Sequence, residues 1–164
     1  MSLDVRQFRE FVVEPALRHL SPEIPYSDGA VKLVLGTAIQ ESGLRYLDQL
    51  TPGPGPAVGL FQMERATFND HWRAIALRPK LHDLVCALLA PSPEPFDQMR
   101  TNLAFAAAMC RIHYWMRDPG AIPADLEGAA RAWKRHYNTS AGKGRPEQFV
   151  ANYRAMTSGL EGKR

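Results

Sequence analysis

Apolar residues recur at helical spacing through the first twenty positions: Val5, Phe8, Phe11, Val12, Ala16, Leu17 and Leu20. This pattern predicts a first helix, capped by Ser2 or Asp4 and bent or ended by Pro15. A stretch rich in proline and turn formers follows at 21–29, and then an almost unbroken apolar run from 30 to 39. A helix apolar around most of its circumference belongs in the middle of a core, so this one is expected to be central and to end near Glu41. Residues 66–77 and 80–90 read as two shorter helices, with Pro79 suited to the first turn of the second. Residues 91–95, Pro-Ser-Pro-Glu-Pro, form a rigid connector. The longest predicted helix runs over 97–117, where several small residues let a neighbour approach closely. Helices over 125–136 and 146–157 complete the set. Period-two alternation is scarce, and 51–60 is the only region with room for a small hairpin. The expected fold is mainly α, a single domain of six to eight helices with at most a hairpin near 50–60.

Composition narrows this picture. A chain of 164 residues, 45% of them apolar, is long enough for one well-buried core and short enough for one domain. Charges or prolines interrupt every apolar run well short of the roughly twenty residues a membrane span needs. The start, Met1-Ser2-Leu3-Asp4-Val5-Arg6, lacks the basic and apolar segments of a secretory signal, so no signal peptide is expected and the chain would be made in the cytoplasm. The net charge of +3 is mildly basic, and the clearest cluster is Arg131, Lys134, Arg135, Lys143 and Arg145. Such a cluster suits a polyanion or simply a solvated helix face, and a nucleic-acid partner ranks well behind the reading developed below. Cys86 and Cys110 cannot make a disulfide framework and read as small buried thiols. His82 with Cys86, and Cys110 with His113, have spacings a zinc ion can use, but the usual short ligand loops are absent and core packing is the plainer reading. Neither a metal nor another cofactor is expected.

The chemistry begins at Glu41, an acid that follows the apolar run and leads into Ser42 and Gly43. A carboxyl set against buried apolar surface responds by a raised pKa, the property a general acid needs near neutral pH. Taken alone it also reads as a surface acid at a helix end. Downstream stand Gly59-Leu60-Phe61-Gln62, with an amide embedded in an apolar run, and Tyr137-Asn138 followed by the glycine-containing loop 139–144.

These three elements, in this order, resemble the signature of lysozyme-like lytic transglycosylases, particularly the soluble type and its phage-encoded relatives. Asn102 also looks like that family's asparagine, and the resemblance spans roughly 30–157. It implies a lysozyme-like fold and cleavage of peptidoglycan glycan strands between N-acetylmuramic acid and N-acetylglucosamine. By that resemblance Glu41 is the catalytic acid, which afterwards takes a proton from the sugar's own 6-hydroxyl, so that an anhydro sugar forms without water. Ser42 is expected to hydrogen-bond the substrate, Gln62 to hold the sugar chain, Tyr137 to place its hydroxyl near the glutamate, and Asn138 to shape the same wall. The action would then be on the cell wall or in the periplasm, with virion or secretion-apparatus proteins as further partners.

The chain departs from the family pattern in several places. The stretch from Glu41 to Gly59 is longer and richer in proline, Phe61 stands where methionine is common, and Thr139 and Ser140 replace alanine and glycine. Glu64 is unexpected. If Glu64, Asp48 or Asp70 faced Glu41 across a cleft, a water-using muramidase would be possible. A non-catalytic wall-binding or phage structural protein on the same fold is the remaining alternative.

Overall fold

Asp4 starts the first helix by accepting the Gln7 N–H at 2.8 Å. The computed structural model describes residues 2–49, 55–138 and 142–159. In it the opening helix runs as α1 (Val5–Phe8), a wider π-helical turn (Arg9–Val13) and α2 (Glu14–Leu20), with right-handed helical angles at both junctions. Pro15 therefore does not end the helix. It lacks an N–H and falls just after the π turn, where the hydrogen-bond register is already altered.

Helix α3 (Asp28–Ser42) begins on Ser27, whose hydroxyl accepts the Ala30 N–H at 3.0 Å. Every residue from 29 to 39 except Lys32 is buried, as the apolar run predicts. Gly36 permits α9 (Pro146–Thr157) to come close, because a Cβ there would sit 2.2 Å from the Phe149 ring. Helix α3 stops on Gly43, which takes left-handed angles (φ 58°) and returns its N–H to the Ile39 carbonyl at 2.9 Å. Leu44 is also left-handed, with φ 55°.

The predicted hairpin is present but lies later than expected. Strands β1 (Ala57–Val58) and β2 (Met63–Glu64) pair antiparallel, Ala57 with Glu64 and Val58 with Met63, and Asp48 bridges to Val58. Residues 51–54 of the expected hairpin lie outside the described residues. Gly59 in the turn has φ 75°, and a Cβ there would meet the Met99 carbonyl oxygen at 2.1 Å, so conformation and space both demand glycine.

Helices α4 (Arg65–Ala76) and α5 (Pro79–Cys86) follow, the second shorter than predicted. The long helix expected over 97–117 is split into α6 (Gln98–Thr101) and α7 (Leu103–Arg117) by Asn102, which is extended (φ −113°, ψ 92°). Asn102 accepts the Phe105 N–H at 3.1 Å and donates to the Leu88 carbonyl at 2.7 Å. A side chain that caps one helix while tying down a distant loop is worth more outside the helix than within it. Gln98 grips the proline connector, with bonds to both backbone groups of Ala90 and to the Pro93 carbonyl.

Helix α8 (Leu126–Trp133) starts on Asp125, which accepts the Gly128 N–H, and continues as a π turn (Lys134–Asn138) before α9. With contiguous segments joined, eight helices and a two-stranded hairpin make up the described residues, a mainly α fold as the sequence predicts. None of these helices is long and apolar enough to cross a membrane.

Candidate active site

The C-terminal turn of α3, the hairpin and the π turn after α8 surround an open groove of about 780 Å³. Glu41, Ser42, Gln62, Tyr137 and Asn138 all line it, although 97 positions separate the first from the last.

Glu41 is the penultimate residue of α3 and is half-buried. Burial raises its pKa above the ordinary carboxyl value, and a hydrogen bond from Trp133 pulls the other way. Its place at a helix C-terminus, where unpaired carbonyls carry partial negative charge, acts in the same direction as burial. The Trp133 Nε1–H donates to Glu41 Oε1 at 2.8 Å. Trp133 is itself buried and packs on Phe149 with ring centres 5.5 Å apart. The indole is thus a rigid donor, and the carboxyl it holds cannot swing freely.

Ser42 is committed to ending the helix. Its hydroxyl donates to the Ala38 carbonyl at 3.0 Å and accepts the Leu44 N–H at 3.3 Å, so its one hydrogen is already engaged. Gln62 stands at φ 47° in the hairpin turn, with Nε2 donating to the Gly59 carbonyl at 2.8 Å. The Tyr137 hydroxyl donates to the Phe61 carbonyl at 2.6 Å. Tyr137 was expected to steady the glutamate with its phenol; instead the donor on Glu41 is Trp133, and the phenol joins the π turn to the hairpin. Burial holds the Tyr137 phenol well above its ordinary pKa, so it remains a donor. Asn138 accepts from Lys134 Nζ at 2.8 Å, and the same ammonium donates to the Gly142 carbonyl at 2.7 Å. Thr139 and Ser140 lie outside the described residues.

Two further acids, Asp48 and Glu64, line the groove. Asp48 accepts from Arg100 Nε at 2.8 Å, whereas Glu64 makes no ion pair among the described residues. Asp70 is elsewhere, paired with Arg73. None of the three tryptophans lines the groove, and Trp72 stacks on Phe68 instead. The zinc spacing does not converge: His82 contacts Cys86, His113 pairs with His71, and no cluster of three or more metal-ligating side chains occurs among the described residues. Within the basic cluster, Lys134 is spent on Asn138 and Gly142, and Arg131 lies 3.9 Å from Asp125.

Sequence reasoning missed two features of this site. One is the Trp133 donor, because an indole on an apolar helix face looks like packing alone. The other is His113, which lines the groove and contacts the Tyr137 ring at 4.8 Å. Comparison with protein-family models, with curated proteins and with solved structures finds no match to this chain.

Proposed function

We propose that this protein is a lysozyme-like lytic transglycosylase that cleaves peptidoglycan glycan strands between N-acetylmuramic acid and N-acetylglucosamine, with Glu41 as acid and then base. The observation that carries this reading is a half-buried carboxyl of raised pKa, held by an indole N–H, in a groove lined by the other four residues of the motif. Protonated Glu41 gives its proton to the bridging oxygen as the bond to the sugar's anomeric carbon breaks and positive charge develops on the ring. The carboxylate then removes the proton of the 6-hydroxyl, whose oxygen bonds to the anomeric carbon. Glu41 is returned to its protonated form and no water is consumed. Trp133 supports the carboxylate during the interval in which it bears charge.

Glu41→Gln tests this. The amide can still accept from Trp133 but has no acidic proton, so cleavage of purified peptidoglycan is expected to disappear while circular dichroism stays unchanged. Mass spectrometry of wild-type products distinguishes the outcomes. Anhydro ends support the proposal. Hydrated ends favour a muramidase, for which Glu64, in the same groove and without an ion pair among the described residues, is the second carboxylate. Binding to the wall without cleavage by either protein would make the chain a non-catalytic wall-binding component, of the kind a virion or secretion apparatus carries.

A further inference from the structure

Two histidines, His113 in the groove lining and His71 hydrogen-bonded to it, take no part in the proposed chemistry. His71 on α4 and His113 on α7 are only 6% and 5% exposed. His71 Nε2 is 2.8 Å from His113 Nδ1, and His113 Nε2 is 2.7 Å from the carbonyl oxygen of His136. A carbonyl can only accept, so His113 carries its hydrogen on Nε2. Its Nδ1 is then an acceptor, and His71 must donate from Nε2. The direction of every hydrogen in the chain is therefore set.

The receiving carbonyl belongs to the π turn that ends the α8 helix. One residue on, Tyr137 sets its ring edge-on to His113, with centres 4.8 Å apart and planes at 63°, and sends its hydroxyl to the carbonyl of Phe61, the neighbour of Gln62. Two successive residues of the π turn are thus held by one buried imidazole.

We propose that the His71–His113 pair is a positioning device: by supporting the His136 carbonyl and the Tyr137 ring, it keeps the π turn, and with it Tyr137 and Asn138, in place along the groove. The consequence for activity rests on reading the groove as a glycan site. The consequence for the geometry of the turn does not.

Several groups face the pair. Asp70 lies on α4, Arg117 at the end of α7 and His136 on the π turn, where it stands 3.8 Å from Asp118, while the Tyr114 ring is 5.7 Å from His113. Burial, with Arg117 adding, keeps both rings neutral down to about pH 4. A first proton on His113 Nδ1 is tolerated if His71 moves its own hydrogen to Nδ1. A second sets one N–H against another and breaks the chain.

His71→Phe keeps a ring but deletes the donor, and His71→Gln restores an N–H at similar reach. The readouts are imidazole nitrogen NMR, the Tyr137 ring resonances assigned by Tyr137→Phe, and cleavage of purified peptidoglycan against pH. In the wild type, both rings are expected to carry hydrogen on Nε2 and to resist protonation well below pH 6.5. His71→Phe should displace the Tyr137 resonances, move the His113 titration towards neutral pH and lower kcat roughly tenfold, with His71→Gln recovering most of each. If His71→Phe does not fold, the wild-type spectra decide alone: either ring titrating near its ordinary value, or His113 carrying hydrogen on Nδ1, overturns the proposal. So do Tyr137 resonances unmoved in a folded His71→Phe protein, or full activity despite their movement. A wild type that cleaves nothing while the Tyr137 resonances move as expected defeats the glycan reading and leaves the positioning role standing.

Discussion

Trp133→Phe separates the two jobs of one indole. The substitution keeps a six-membered ring against Phe149 but deletes the Nε1–H that Glu41 accepts at 2.8 Å. Because Trp133 is only 1% exposed, the lost atoms leave a gap, and part of the cost, about 1–3 kcal/mol, is independent of pH. The second part depends on the charge of Glu41. A hydrogen bond to a carboxylate contributes roughly 1.5–3 kcal/mol and one to a neutral carboxyl about 1 kcal/mol, so the ionised form loses more. That difference makes Glu41 a weaker acid by about tenfold.

Burial already raises the Glu41 pKa in the fold. A raised value means that its favourable contribution is complete below the unfolded value of about 4.5 and is lost as pH rises through the folded one. Removing the indole N–H enlarges that loss. The gap in unfolding free energy between wild type and Trp133→Phe should therefore be wider above the folded pKa than below it. Urea denaturation over a pH series measures the gap, and carbon-13 titration of the Glu41 carboxyl measures the acidity directly. Under the proposed function, the alkaline limb of the rate profile also shifts to higher pH, since the acid keeps its proton longer. A gap that is constant or narrows with pH, or a Glu41 that becomes more acidic, refutes the argument that Trp133 supports the charged form.

Tyr137→Phe leaves the Phe61 carbonyl without its donor and should cost about 1–3 kcal/mol in thermal or urea unfolding, together with, under the proposed function, a fall in cleavage rate. Gly59→Ala must place a Cβ against the Met99 carbonyl at positive φ and should destabilise by roughly 2–4 kcal/mol, whereas Gly43→Ala, left-handed but in open space, should cost only about 1 kcal/mol in the same assay. The pKa of both His71 and His113 falls to about 4 in the fold, so the unfolded chain binds more protons below pH 6.5. Stability should therefore be lost as pH falls from about 6.5 through 4, by up to roughly 3 kcal/mol per histidine, and urea midpoints across that window check it.

Local pattern made most of the fold legible. The apolar run from 30 to 39 places α3 in the core because a helix with no polar face has nowhere else to go. Pro146-Glu147 marks the start of α9 because proline in the first turn and an acid near the N-terminus both favour helix entry. The failures are also local in origin but tertiary in cause. Asn102 breaks the predicted long helix because its side chain finds the Leu88 carbonyl, fourteen residues back, a partner that periodicity does not reveal. Of the two outcomes expected at Pro15, bending or ending, the helix does not end, because a π turn absorbs the altered register, and no propensity scale marks where such a turn will form.

The groove divides along the same line. Glu41, Ser42, Gln62, Tyr137 and Asn138 were visible as short motifs, each polar or backbone-restricted where an apolar residue would otherwise serve. Their partners were not, because the contacts that matter join residues far apart in the chain: Glu41 with Trp133 across 92 positions, Phe61 with Tyr137 across 76, and His71 with His113 across 42. The partners are also residues whose apolar bodies satisfy core packing, so a tryptophan or histidine on a buried helix face gives no sign of its polar edge. Yet burial is what makes that edge effective. An indole N–H in water exchanges one partner for another at little net gain, while the same group beside a half-buried carboxylate replaces solvation that the acid has already lost. Residues that tune a buried acid are therefore recruited from among those that read most plainly as core. A useful search for them starts at the raised carboxyl and proceeds outward to the nearest packed donors.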